Sequence, residues 1–220
     1  MGVSVLVLGP SGSGKSTSMR NFAPDEVGIF NVASKPLPFR GSLPKVDAAG
    51  YDVIKRGLAG NNRRAYVIDD GNYLMAFENF AKAHQSGFGK FTDMAVNFEQ
   101  LLEVSNFNTN SDTITYFFMH PDYDDAGRMK PKTIGKMLDN QLTVEGMFPI
   151  VLLAVHDNDG YGFLTADPGN TPVKAPMGMF DSPRIDNDLK AVDSIIRDYW
   201  GMAPIVDPPA PAEVESGEAE

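Results

Sequence analysis

The chain has 220 residues, 42% of them hydrophobic, enough for one substantial α/β domain with a buried core and too few for two full domains beside a tail. Formal net charge is −10, but Asp207, Glu213, Glu215, Glu218 and Glu220 fall within Ile205–Glu220 with no base, which leaves −5 for the rest; that balance argues against nonspecific duplex binding by a monomer, while a basic groove formed on assembly stays open. No apolar run approaches the roughly 20 residues of a membrane span, and the absence of cysteine excludes a disulfide framework or thiolate metal site and suits a cytoplasmic protein.

Val3 to Leu8 is a short β-branched run that stops at Gly9, the pattern of a buried parallel strand feeding a glycine-rich turn. A helix is expected from Gly14 to Phe22, ended by Pro24, then a strand from Val27 to Val32, a loop over Lys35 to Leu43 and a helix over Asp47 to Leu58. Ala65 to Ile68 reads as a strand ending on Asp69 and Asp70. Phe91, Met94, Ala95, Phe98, Leu101 and Leu102 recur at the spacing of one helical face. Thr113 to Met119 is a further strand, ending at His120-Pro121. Ile150 to Thr165 reads as a hairpin turning on Asp157-Asn158-Asp159-Gly160. Asp188 to Trp200 places Leu189, Val192, Ile195, Ile196 and Tyr199 on one helical face, and the proline-, alanine- and glutamate-rich stretch from Ile205 to Glu220 reads as a disordered acidic tail behind a domain of residues 1–204.

Gly9-Pro10-Ser11-Gly12-Ser13-Gly14-Lys15-Ser16 matches the full G-x-x-x-x-G-K-[ST] pattern, and with Thr17 it lies between a predicted strand and a predicted helix. Glycines let the backbone curl so that consecutive N–H groups face phosphate oxygens, and a helix N-terminus adds its positive end. Lys15 is placed to reach the β- and γ-phosphates of ATP, and the Ser16 hydroxyl to ligate Mg²⁺. Such a site needs a carboxylate at the end of a neighbouring apolar strand, and Tyr66-Val67-Ile68-Asp69 supplies it, so Asp69 is the expected metal-side ligand. Asp70 has two readings: it orients the attacking water, or it caps the helix that starts at Asn72. His120 likewise either senses the γ-phosphate at the sheet's ligand edge or merely terminates its strand. Lys130, Lys132 and Lys136 with Gly135 form either a phosphate or nucleic-acid contact or a solvated loop and helix start. His84 and His156 lack metal-ligand spacing and read as structural.

The P-loop, the Asp69-Asp70 strand end, the strand ending in His120, the stretches Lys132 to Asp139 and Lys174-Ala175-Pro176-Met177-Gly178-Met179-Phe180, and Lys35-Pro36-Leu37-Pro38-Phe39-Arg40 together resemble phage-encoded, RecA-like core P-loop ATPases. These small ATP-binding proteins are similar to single-strand-annealing recombinases that keep only the ATPase core, and the likeness runs from Val3 to Trp200. It implies an α/β, RecA-like, mostly parallel sheet flanked by helices, with a late β-hairpin. It also implies assembly into a homo-oligomeric ring or filament and action on single-stranded DNA beside a single-strand-binding protein, in the host cytoplasm and away from membranes. By the same analogy Lys174 reaches across a subunit interface to a neighbour's γ-phosphate. The chain departs from the pattern after the second strand, where Asn31-Val32-Ala33-Ser34 lacks the usual catalytic glutamate.

The loop alone also occurs in ABC transporter ATPases and guanylate kinases. No L-S-G-G-Q signature is present, and arginine is sparse after Arg64, which speaks against a kinase lid. Two alternatives stay open: a nucleotide-gated binding or loading module with little turnover, favoured by the missing second-strand carboxylate, and a small-molecule kinase.

Overall fold

A computed structural model describes residues 1–135, 138 and 141–205. Its strands are β1 (Val3–Leu8), β2 (Val27–Asn31), β3 (Lys45–Asp47), β4 (Ala65–Asp69), β5 (Ile114–Met119), β6 (Pro121–Tyr123), β7 (Met129–Pro131), β8 (Ile150–Asp157), β9 (Gly160–Leu164) and β10 (Arg184–Asp186). Eight of them form one sheet in the order β10-β9-β8-β1-β5-β4-β2-β3, parallel from β3 across to β8 and antiparallel at β9 and β10. The helices are α1 (Tyr51–Ala59), α2 (Asn72–Ala81), α3 (Gly89–Phe107) and α4 (Leu189–Trp200). The expected α/β class, with a mostly parallel sheet flanked by helices and a late hairpin, is what the chain forms.

Because strand side chains alternate in direction, the sheet buries both faces. Leu6, Leu8, Ile68, Phe117 and Met119 pack against Ile54 and Leu58 of α1, Leu74 and Met75 of α2, and Met94, Phe98, Leu101 and Leu102 of α3. Val5, Val7, Val67, Tyr116 and Phe118 face the other way, against Met19, Phe22 and Leu189, Val192 and Ile196 of α4. Burying each such large apolar side chain stabilises the fold by about 1.5–3 kcal/mol. The helical stripe read from Phe91 to Leu102 faces the core, with Phe91 packed at its margin. Asp188 starts α4 by accepting from the Lys190 and Ala191 amides, and Gly201 ends it at φ 62, a left-handed cap. Tyr199 stands apart from its predicted stripe: it is exposed, and its hydroxyl donates to the Met177 carbonyl at 3.0 Å.

Three expectations change. The helix read over Gly14 to Phe22 is a six-residue 3₁₀ turn, Ser16–Asn21. Its Ser-Thr-Ser run competes with helical bonding, Ser18 Oγ donating to the Lys15 carbonyl at 2.6 Å, while Asn21 Nδ2 donates outward to Asp188 at 2.7 Å. The helix read from Asp47 begins only at Tyr51, because Lys45 to Asp47 pair with β2 as an edge strand and Ala48 turns the chain at φ 51. Lys130 lies in β7, which pairs with β6 as a separate two-stranded ribbon directly after His120. Lys136, Met137 and Asp139 of the resemblance, and all but the first residue of the predicted tail, lie outside the described residues. Among the described residues no helix is long and apolar enough to cross a membrane.

At the edge where β4 and β5 begin, Arg197 is buried and donates to the carbonyls of Asp112 (2.8 Å), Ala203 (2.9 Å) and Arg64 (2.7 Å). It also pairs with Asp193, which accepts from Tyr116 Oη at 2.9 Å. Val3 N–H bonds the neighbouring Thr113 carbonyl at 2.9 Å.

Candidate functional site

β1 delivers the glycine-rich loop to the edge of the sheet where the parallel strands end. Gly9 must lack a side chain: a Cβ there would stand 2.4 Å from Ser13 Oγ and 2.9 Å from the Ala154 carbonyl of β8. Gly12 and Gly14 take φ of 82° and 93°, the left-handed backbone that a phosphate-binding loop needs and that glycine adopts without strain. Ser13 Oγ is buried in the loop with no hydrogen-bond partner. Lys15 is buried and folds back on its own loop, donating to the Gly9 carbonyl at 2.6 Å and the Pro10 carbonyl at 3.0 Å. Burial holds its ammonium down at about 8, against the pull of Asp70 and Asp69.

Ser16 Oγ donates to Asp69 Oδ1 at 2.9 Å, so the hydroxyl after the lysine meets the strand-end carboxylate across 53 positions of sequence. Burial, then the charge of Asp70, pushes the Asp69 carboxyl up to about 6 despite that hydrogen bond. Among the described residues no cluster of three or more His, Asp or Glu could hold a metal by itself. Ser16 and Asp69 are nonetheless the donor set that suits Mg²⁺, which takes one or two protein oxygens and completes its shell with phosphate and water.

Asp70 does not cap α2, whose start has no side-chain cap, and lies at φ 62, a left-handed conformation rare for a residue with a Cβ. There its carboxylate pairs with Lys35 Nζ at 2.6 Å and stands 3.4 Å from His120 Nε2. Burial, then the charge of Lys15, hold the His120 imidazole below its ordinary value, against the pull of Asp70. His120 is held by its backbone N–H, which donates to Asn72 Oδ1 at 3.2 Å, and its ring meets the edge of Tyr73. An open cleft of about 590 Å³ leads outward from this end of the loop, lined by Ser11, Tyr73, His120, Tyr123 and Lys132.

The other flank of the loop is aromatic. His156 and Tyr161 face one another across the β8–β9 hairpin with ring centroids 3.8 Å apart and planes 5° from parallel. The Tyr161 ring lies against the loop backbone, since a Cβ on Gly14 would stand 2.8 Å from its Cδ1. Asn187 Nδ2 donates to the Gly14 carbonyl at 3.2 Å, and Arg20 bonds the Asn187 carbonyl at 2.5 Å and the Thr17 carbonyl at 3.3 Å.

The structure thus brings together the Gly9–Thr17 loop, Asp69, Asp70 and His120. Lys174 lies elsewhere: exposed, it bridges Val151, which pairs with Leu6 in the body of the sheet rather than at the loop. Lys35, read as the start of a loop and of one stretch of the resemblance but given no role at the site, and His156 with Tyr161, one read as structural and the other not considered, are site neighbours that sequence reasoning missed. A larger cavity, about 850 Å³, lies between β7 and the loop around Asn170, away from the P-loop, and its Asp124 and Arg128 pair with each other at 2.9 Å.

No family model matches the sequence, and no curated protein matches it. Among solved structures the chain is similar to a KaiC-like protein from the hyperthermophilic archaeon Pyrococcus horikoshii, with a TM-score of 0.40 and 16% identity over 73% of this chain and 76% of that one.

Proposed function

We propose that this chain binds a nucleoside triphosphate, ATP with Mg²⁺, on Gly9–Thr17 and hydrolyses it. The observation that carries the reading is the 2.9 Å contact of Ser16 with Asp69 beside a buried, cationic Lys15, since a glycine-rich turn of no function has no need to join a hydroxyl, a carboxylate and an ammonium at the end of a parallel sheet. In this reading Lys15 leaves the Gly9 and Pro10 carbonyls for phosphate oxygens, and the orphaned Ser13 hydroxyl gains a partner. Mg²⁺, when bound, neutralises phosphate charge beside Ser16 and Asp69. In the same reading Asp70 and His120 position a water for attack. Lys15→Ala tests the reading: calorimetry shows ATP–Mg²⁺ binding to the wild type and none to the variant, and wild-type affinity in the variant would sink the assignment.

The sheet order supports an orientation for the ligand. Asp69, Asp70 and His120 come from β4 and β5 on one side of β1, and the Tyr161–His156 stack from β8 and β9 on the other. The phosphate end therefore points to the charged flank and the nucleoside to the aromatic one.

The resemblance extends the proposal to an oligomeric ATPase acting on single-stranded DNA in phage recombination or replication. The ribbon of β6 and β7 follows His120 without a break, and with the next residue it carries exposed Tyr123 and Lys132, the aromatic and basic types that hold single strands. Lys174, exposed and remote from its own loop, is proposed to act on a neighbouring subunit's nucleotide. Lys174→Ala then keeps monomer ATP binding but lowers ATP-induced oligomerisation and turnover, and mixing it with Lys15→Ala subunits restores part of the turnover. No recovery in well-mixed oligomers counts against a role in trans. A gated binding module with little turnover is the second reading, favoured by Asn31 at the end of β2, whose amide is committed to Lys35 and Asp47 rather than to a water. Phosphate release with and without single-stranded DNA separates the two.

A further inference from the structure

After β2, where the resemblance leads one to expect a carboxylate, the fold delivers a cation. Asn31 is buried and fastens the backbone of Lys35: its Nδ2 donates to the Lys35 carbonyl at 2.7 Å and its Oδ1 accepts the Lys35 N–H at 3.3 Å. Ser34, at φ 56, turns the chain between them. From this fixed base the Lys35 side chain stays 57% exposed, passes over the Tyr73 ring with Nζ 5.2 Å from its centroid, and ends 2.6 Å from Asp70 Oδ2. The Asp70 side chain is only 9% exposed and shares its other oxygen with the His120 contact. Lys15, Asp69 and His120 all feel the Lys35 charge, so its ammonium belongs to the same cluster that faces the loop.

A rigid structural strut would be buried at both ends. Here the base is clamped while the side chain is long and solvated, so the ammonium can swing to a new partner without moving the backbone, and Asp70 keeps its contact with His120 when it does. We propose that Lys35 is a second phosphate lysine, which gives up Asp70 for the terminal phosphate of a bound nucleoside triphosphate and leaves Asp70 free only when a third phosphate is present. The inference rests on the nucleotide reading above. It makes Lys35 the residue that tells a triphosphate from a diphosphate: a diphosphate leaves the Lys35–Asp70 pair closed, and Asp70 is then unable to orient a water.

The test is direct binding of ADP and of a non-hydrolysable ATP analogue, each with Mg²⁺, to wild type, Lys35→Ala and Lys35→Arg, with melting temperatures recorded. Lys35→Ala is expected to lose about tenfold or more in affinity for the ATP analogue, the worth of one charge-assisted contact, while ADP affinity stays within about twofold. Lys35→Arg keeps the preference for the triphosphate. Equal losses for both nucleotides, or unchanged affinity for the analogue, overturn the proposal while leaving the nucleotide site standing. A wild type that binds neither nucleotide overturns the reading on which it rests.

Discussion

The two flanks of the P-loop differ in kind. Toward β4 and β5 lie two lysines, two aspartates and a histidine within one cluster, most of them buried; toward β8 and β9 lie a tyrosine and a histidine stacked ring on ring, with an asparagine on the loop backbone. A nucleotide has the same division, a chain of charge at one end and a flat ring at the other. One strand, β1, separates the two chemistries, so the fold sorts the ligand's ends by sheet order before any single side chain selects it.

The largest effect should come from the loop's own lysine. Lys15→Ala removes about 3 kcal/mol or more of charge-assisted bonding, a loss of over about a hundredfold that takes ATP below detection by calorimetry. Next is the charged flank: Asp69→Ala should abolish the gain in ATP affinity that Mg²⁺ confers, with binding in excess chelator unchanged. A variant that still responds fully to Mg²⁺ would move the metal ligand elsewhere. The aromatic flank should matter less and differently. Tyr161→Ala removes one stacking surface, worth about 1–3 kcal/mol, and should weaken ATP and ADP by the same factor while leaving tripolyphosphate binding untouched. If tripolyphosphate weakens equally, the ring supports the loop rather than the base, and the division between the flanks fails.

The smallest effect is a proton. In the nucleotide-free protein the Lys15 ammonium is depressed to about 8, so above that pH the lysine is neutral until phosphate restores its charge. Binding should then take up nearly one proton at about pH 9 and almost none at pH 7, read from calorimetry in buffers of different ionisation heat. Affinity falls as pH rises through 8. No uptake at the higher pH would mean that the ammonium persists in the free loop.

The charged flank was legible in part because its backbone signals are local. Gly9 to Ser16 is a contiguous pattern and Asp69 closes an apolar run; elsewhere in the fold the stripe from Phe91 to Leu102 carries its own periodicity and Asp157–Gly160 its own turn chemistry. Lys35 was not legible as a site residue: it lies in a proline-rich loop with no period, and its partner Asp70 is 35 residues away. Tyr161 meets Gly14 only because β8 and β9 are laid beside β1, an adjacency that no spacing in the sequence encodes. The helix after the loop failed for a different reason, since the Ser-Thr-Ser run satisfies the local pattern of a P-loop and still prefers side-chain bonds to helical ones.

Asp112 and Thr113, neighbours just before β5, hold Arg197 of the last helix and Val3 of the first strand through adjacent carbonyls. The residues around 3 and around 203 therefore share one rim of the sheet, opposite the rim that carries Gly9 and Asp69. That arrangement makes the core a candidate for circular permutation: a short glycine-serine bridge between them, with new ends opened at the exposed stretch near Gly87, should leave the loop, the charge cluster and the aromatic stack in their present relation. It also offers a place to attach the protein to a surface with every ligand-facing group turned outward.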